Sequence, residues 1–297
     1  MIKILKRQFI LYTMLIISSI LTLIFTFIFI GSDTVVIHRM LVTLPILLIL
    51  VWIASVILAN TAIKPIQDTW QKQLDFTADA SHELRTPLAV IHSNLEIILD
   101  NPEATVASQE KWLRNIKTES ERMNRLVEDL LTLSRADSEQ TSKTFTELPL
   151  DIIIQERMEV FEPLAAAKHI TLSYHGEHNL CIQGDISYIT RLFTIFIDNA
   201  LKYMGRPGTF AISVSSKGKK VQILISDNGV GIPSDSLDKI FSRFYRVDKA
   251  RSRNETIGGF GLGLPIAKWI VAYHGGTISV QSVENQGTQF TILLPKK

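Results

Sequence analysis

The 297 residues carry 31 Lys and Arg against 29 Asp and Glu, a near-neutral balance that leaves little charge for gripping a polyanion. No Lys/Arg-dense stretch interleaved with aromatics occurs, so no nucleic-acid partner is expected. The single cysteine, Cys181, cannot build a disulfide frame or a metal cluster, and within the alternation Asn179 to Gln183 it reads as a small strand residue.

In chain order, the first elements are two uncharged runs, Phe9 to Ile30 and Met40 to Ala59, each matching the roughly 20 apolar residues that cross a hydrocarbon core. Residues 1–60 are therefore expected to form two transmembrane helices in the lipid bilayer, at about 9–30 and 40–59. A cleaved leader is the alternative for the first run, but that run exceeds the usual apolar stretch of a signal peptide and a second follows closely. Lys3, Lys6 and Arg7 precede the first span, whereas the external loop from Gly31 to Arg39 sets Asp33 against Arg39. The basic residues favour an inside N-terminus, which returns everything after Asn60 to the cytoplasm. The expected location is thus the cell membrane, multi-pass. So short a loop cannot bury a core, and a stimulus is expected through the bilayer or another membrane protein. Trp52 fits an interfacial anchor or lipid-facing bulk, and Pro45 a functional or a tolerated kink.

Residues 61–137 are expected to form a helical hairpin. Leu74, Thr77, Ser81, Leu84, Leu88, Ile91, Leu95 and Ile98 alternate spacings of three and four, the mark of a heptad seam. Asn101-Pro102 stops that helix. A second, from about Val106 to Ala136, repeats the spacing with Leu113, Ile116, Ser120, Met123, Val127 and Leu130, flanked by Leu126 and Leu133. So broad an apolar stripe needs covering, and two copies forming a four-helix bundle would cover it, so a homodimer is expected. With Leu74 at position a, His82 falls at position b and faces solvent. Pro87 withdraws the backbone donor that would reach Glu83, a disturbance beside a reactive group. The other six histidines lack metal-like spacing and are expected in solvated or capping roles.

After a polar linker, Ser138 to Lys143, residues 144–297 alternate helices and strands: 151–168, 170–174, 186–204, 211–215, 221–226, 264–273, 277–283 and 288–294. Hairpin-joined strands predict an α/β sandwich rather than a long βαβ series. Three clusters carry chemistry. Asn199 and Lys202 lie on one helix face, offering an amide oxygen suited to Mg²⁺ and an ammonium suited to phosphate. Asp227 is presented at a strand tip, where a carboxylate accepts from the exocyclic amine of adenine and opposes the oxygen of guanine. Gly258 to Leu264 opens a helix, with glycines permitting close approach and free amides attracting phosphate.

The segment Phe76 to Leu88 (FTADASHELRTPL) resembles the phosphoacceptor motif of two-component sensor histidine kinases. The clusters Asp198 to Tyr203, Asp227 to Ile232 and Gly258 to Leu264, with Phe241 to Arg246 between them, resemble the N, G1, G2 and F boxes of the same family's catalytic domain. The resemblance covers about residues 60–297 and implies, after the two expected transmembrane helices, a dimeric four-helix-bundle hairpin and an ATP-binding domain of the kind shared with gyrases and chaperones, in a multi-domain protein. It implies transfer of a phosphoryl group from Mg-ATP to His82, with Glu83 as proton acceptor, then to an aspartate of a response regulator. It also implies a regulator phosphatase activity in which Thr86, on the face of His82, positions a water; Thr86 can equally be a polar helix residue before Pro87. Position by position, Asn199 would hold Mg²⁺, Lys202 and Tyr203 line the phosphate side, and Asp227 read adenine. Gly229, Gly231 and Ile232 would form the pocket edge, and Gly259, Gly261, Gly263 and Leu264 end a lid starting near Pro233, with Arg246 and Thr288 as further candidates. One departure is Ile195, where many members carry a second Asn. The alternatives are an ATPase coupled to conformational work and a nucleotide-binding scaffold without transfer. The former lacks its water-activating glutamate, since that position is Ile195.

Overall fold

A computed structural model describes residues 2–29, 34–137, 145–177, 180–204, 207–247 and 259–296. The chain divides into two compact units, Met1–Ala78 and Asp79–Lys297. The first contains helix α1 (Ile2–Phe29) and the beginning of α2 (Thr34–Leu99), a 66-residue helix that continues without a break into the second unit. Helix already begins at Thr34, so the expected external loop is shorter than Gly31 to Arg39; its residues 31–33 lie outside the described set. Among the described residues no helix is long and apolar enough to cross a membrane.

Helix α2 ends at Leu99, before Asn101-Pro102, and α3 (Val106–Asp137) returns. The turn is closed by side chains: Gln109 Nε2 donates to the carbonyls of Ile98 (3.3 Å) and Asn101 (3.0 Å), and Asn101 Nδ2 donates to Ile97 O (2.9 Å). Asn115 Nδ2 donates across the hairpin to Asn94 Oδ1 at 3.2 Å, a polar lock between the two helices. Leu88, Leu95, Leu113 and Val127 are exposed, whereas the expected flanking residues Leu126 and Leu133 are buried. Besides turning back along α2, α3 also packs on the α/β domain, against the helix Gly263–Tyr273.

The linker expected at 138–143 lies outside the described residues. Beyond it come β1 (Thr146–Pro149), α4 (Leu150–Ala167), β2 (Ile170–Gly176), β3 (Cys181–Gly184), α5 (Ile186–Tyr203), β4 (Gly208–Lys217), β5 (Lys220–Asp227), α6 (Gly263–Tyr273), β6 (Thr277–Val283) and β7 (Gly287–Pro295). Five strands form one sheet in the order β2-β4-β5-β7-β6, with β2 and β4 parallel and the other pairs antiparallel. The short β1–β3 pair forms a second, two-stranded sheet, which the sequence reading foresaw only at Cys181. Period-two alternation buries one face: Phe210, Ile212 and Val214 on β4, Val221, Ile223 and Ile225 on β5, and Phe290, Ile292 and Leu294 on β7. The helices cover that face. Ile189, Leu192, Phe193, Phe196, Ile197 and Ala200 line the inner side of α5 at helical spacing, and Phe196 meets Phe290 at 4.9 Å between ring centroids. Asp185 caps α5 by accepting from the amides of Ser187 (2.9 Å) and Tyr188 (3.3 Å). Of the solvated and capping roles expected for the other histidines, His274 takes the capping one, buried at the C-cap of α6; its Nε2 accepts from Asp185 N–H at 3.0 Å and its Nδ1 meets Ile270 O at 2.7 Å.

Candidate functional site

The expected nucleotide residues converge at the end of the sheet where α5 stops and α6 starts. Asp227 is the last residue of β5, so its carboxylate leaves the helix-covered face at the strand tip. It accepts from Gly229 N–H at 2.9 Å and from the backbone amide of Thr288 on β7. Burial pushes its pKa above the ordinary aspartate value, and the two amides pull in the opposite direction. Thr288 is buried and stands directly opposite Asp227 in the β5–β7 register. Two glycines make this corner possible. A Cβ on Gly287 (φ +108°) would lie 2.0 Å from Asp227 O, and one on Gly231 (φ +67°) 2.1 Å from Val283 O.

The other segments close around this corner. Val230 N–H donates to Tyr203 O at 3.3 Å, joining the end of α5 to the loop after Asp227. A Cβ on Gly259 would sit 3.7 Å from Lys202 Nζ, and one on Gly263 3.2 Å from Ile195 Cγ2. A Cβ on Gly261 (φ +71°) would lie 2.7 Å from Tyr245 O, so the glycine-rich segment rests on the Phe244-Tyr245 backbone next to half-buried Arg246. Ile232 N–H donates to Ser282 Oγ at 2.8 Å. Leu264 is half-buried in the first turn of α6, and Tyr203 is exposed. Asn199 is half-buried one turn before Lys202, whose ammonium is paired with Asp198. That pairing leaves the Asn199 amide oxygen as a neutral hard donor at the helix end, of the kind that would suit Mg²⁺. Part of the expected lid, residues 248–258, lies outside the described set; the rest includes a 3-10 turn at Ser234–Ser236.

The expected phosphoacceptor residues form a separate group on α2. His82 and Thr86 are exposed one turn apart on the same face, Glu83 is half-buried, and Pro87 is buried. Among the described residues no hydrogen bond or ion pair joins His82 to the nucleotide cluster.

Several residues here escaped the sequence reading. Arg191 on α5 pairs with Asp129 on α3 and donates to Thr132 Oγ1 at 3.0 Å, and the Arg122 guanidinium stands 5.0 Å from the Phe260 ring centroid. Burial raises the Asp129 pKa above the ordinary aspartate value, against the opposing pull of Arg191. Ser282 and Gly287 were missed too. The turn Asn285-Gln-Gly287 between two strands was a legible signal for the glycine; an isolated serine in a strand carries none.

The fold and site define a phosphoacceptor hairpin joined to an α/β ATP-binding domain. Residues 72–139 match the family of His Kinase A (phospho-acceptor) domains, and residues 184–297 match the family of histidine kinase-, DNA gyrase B- and HSP90-like ATPases. Sensor protein CiaH of Streptococcus pneumoniae is 36% identical over 82% of this chain and 54% of its own length. Sensor histidine kinase RppB of Synechocystis sp. is 37% identical over 84% of this chain and 55% of its own length. Sensor histidine kinase WalK of Bacillus subtilis is 38% identical over 76% of this chain and 37% of its own length. The chain thus spans about half the length, or less, of the curated relatives it matches. Two solved structures share the fold: histidine kinase AdeS of Acinetobacter baumannii (TM-score 0.58, 24% identity, 72% of this chain and 97% of that one) and histidine kinase ThkA in complex with response regulator TrrA (TM-score 0.60, 23% identity, 78% and 64%). The chain belongs to the two-component sensor histidine kinases.

Proposed function

We propose that this chain is a membrane-anchored, homodimeric histidine kinase that phosphorylates His82 from ATP and passes the phosphoryl group to an aspartate of a response regulator. The observation that carries the reading is the meeting of Asp227, Lys202 and the glycine-rich start of α6 in one corner, within a chain that also exposes His82 beside Glu83. Neutral imidazole is a nucleophile near pH 7. One ring nitrogen of His82 forms a bond to the γ-phosphorus as the bridging P–O bond breaks and ADP leaves, while the other nitrogen gives its proton to Glu83. Asp227 binds the base, Gly229, Gly231 and Ile232 shape the pocket edge, and Lys202 and the α6 amides hold phosphate, so that rate comes chiefly from positioning and charge neutralisation. A bound Mg²⁺, held by Asn199, would supply charge neutralisation on the phosphates. Thr86 is assigned to water positioning in the reverse, regulator-dephosphorylating reaction.

Membrane anchoring is supported by the uncharged runs at 9–30 and 40–59. The hydroxyls of Ser19, Thr22 and Thr26 add to this, since each donates to the carbonyl four residues back (2.7, 2.8 and 2.7 Å) and needs no water. In this arrangement the N-terminus and the hairpin lie in the cytoplasm, and the stimulus arrives through the bilayer or a neighbouring membrane protein. Dimerisation is supported by the exposed apolar side chains of Leu88, Leu95, Leu113, Val127 and Leu131 on one hairpin. His82→Ala should abolish incorporation of radiolabelled phosphate while ATP still binds; label retained in that variant would overturn the assignment.

A further inference from the structure

Three residues on adjacent strands form a row at the nucleotide corner: Asp227 on β5 stands opposite Thr288 on β7, which stands opposite Ser282 on β6. Thr288 shares its face with Phe290, Ile292 and Leu294, the side covered by the helices. The Ser282 hydroxyl makes three contacts, to Ile232 N at 2.8 Å, Gly287 O at 2.8 Å and Thr288 Oγ1 at 2.9 Å.

Proton counting fixes the direction of the third contact. A serine hydroxyl has one hydrogen and two lone pairs. A carbonyl oxygen can only accept, so Ser282 spends its hydrogen on Gly287 O. An amide can only donate, so Ile232 N–H occupies one lone pair. The remaining lone pair must therefore receive the Thr288 hydroxyl hydrogen. Thr288 Oγ1 is then left with lone pairs and no proton to give.

We infer that Ser282 is a positioning residue for base recognition: by taking the Thr288 hydroxyl proton, it makes Thr288 Oγ1 an acceptor only, matching the neighbouring Asp227 carboxylate. A corner of two acceptors welcomes donor hydrogens, from an exocyclic amine and from a water that accompanies it. It opposes a 6-oxo purine, whose oxygen would face lone pairs on both sides. Part of the preference for 6-amino over 6-oxo purines, beside that given by Asp227, then comes from a serine acting through Thr288. The inference depends on the adenine-nucleotide reading above and deepens it.

The test measures binding of ATP and of inosine triphosphate to the full chain in detergent. Ser282→Ala frees the Thr288 hydroxyl to rotate and donate, so the preference for ATP over inosine triphosphate should narrow by about five- to tenfold, the weight of one hydrogen bond. Ser282→Thr keeps a hydroxyl and should retain the preference. Because Ser282 acts through Thr288, the double variant Ser282→Ala/Thr288→Val should show the same preference as Thr288→Val alone; Thr288→Val keeps the shape and also serves if Ser282→Ala does not fold. Equal weakening of both nucleotides by Ser282→Ala would reduce Ser282 to a clip for the Ile232 loop and overturn the inference, as would additive effects in the double variant. A wild-type chain that binds both nucleotides equally would overturn the adenine reading itself, and the inference with it.

Discussion

The Arg191–Asp129 pair between α5 and α3 should respond asymmetrically to loss of its two partners. Both side chains are about three-quarters buried, with 27% and 25% of their surfaces exposed. Breaking a fully buried pair from one side costs about 3–5 kcal/mol, whereas exposed pairs are worth about 0–1. Arg191→Ala strands a carboxylate whose pKa is already raised by desolvation, and removes the donor to Thr132 as well. An intermediate cost of about 2 kcal/mol follows. Asp129→Asn instead removes the charge that pays the desolvation penalty, while Arg191 keeps Thr132 and its access to water. That change should stay within about 0.5 kcal/mol. For a unit of this size each kcal/mol shifts the midpoint by about 2–4 °C, so scanning calorimetry of the full chain in detergent should place Arg191→Ala about 4–8 °C below wild type. Asp129→Asn should be nearly coincident with wild type, and Arg191→Ala made on that background should cost less than half as much as alone. Equal losses from the two single substitutions would refute the reasoning, since they would mean that mutual attraction outweighs desolvation.

Further consequences are open to simpler measurement. Asp227 has a raised pKa, so in the window between the ordinary aspartate value and the raised one the folded protein holds its proton more tightly than the unfolded chain; stability therefore falls as pH rises through that window. Asp227→Asn lacks this loss, and its melting temperature relative to wild type should climb as pH rises above about 4 while ATP binding drops; a pH-independent difference would contradict it. Gly231→Ala places a Cβ 2.1 Å from a backbone oxygen at φ +67° and should weaken ATP binding at least about tenfold, whereas Gly218→Ala, at φ +62° with nothing within 4 Å, should cost only about 1 kcal/mol of stability and leave binding intact. Equal binding by these two variants would refute the close-approach argument.

Much of the architecture was legible because it rests on periodicity. The inner faces of α5, β4, β5 and β7 repeat at 3.6 or 2 residues, and their expected spans differ from the observed ones by at most about three residues at each end. Gly231 and Gly261 stand at positive φ and Asp227 at a strand tip, local features that their residue types already signal. What escaped was set by tertiary partners. Leu126 and Leu133 read as flanks of a seam, yet they are buried on a helix that also packs against the α/β domain, a contact that the heptad pattern does not encode. Ser282 and Arg191 gain their roles only when strands or helices distant in sequence are brought side by side. His274 looked like a terminal polar residue and is instead a buried acceptor for Asp185 N–H, a contact spanning 89 positions.

The central claim is that the exposed imidazole on α2 becomes the carrier of the nucleotide's terminal phosphoryl group. Incubating the chain in lipid with γ-labelled Mg-ATP and mapping the label tests it directly. The account predicts an acid-labile, base-stable modification on His82 that is absent in His82→Ala and chased off by a cognate regulator. An acid-stable label, or one that maps to any other side chain, would contradict it.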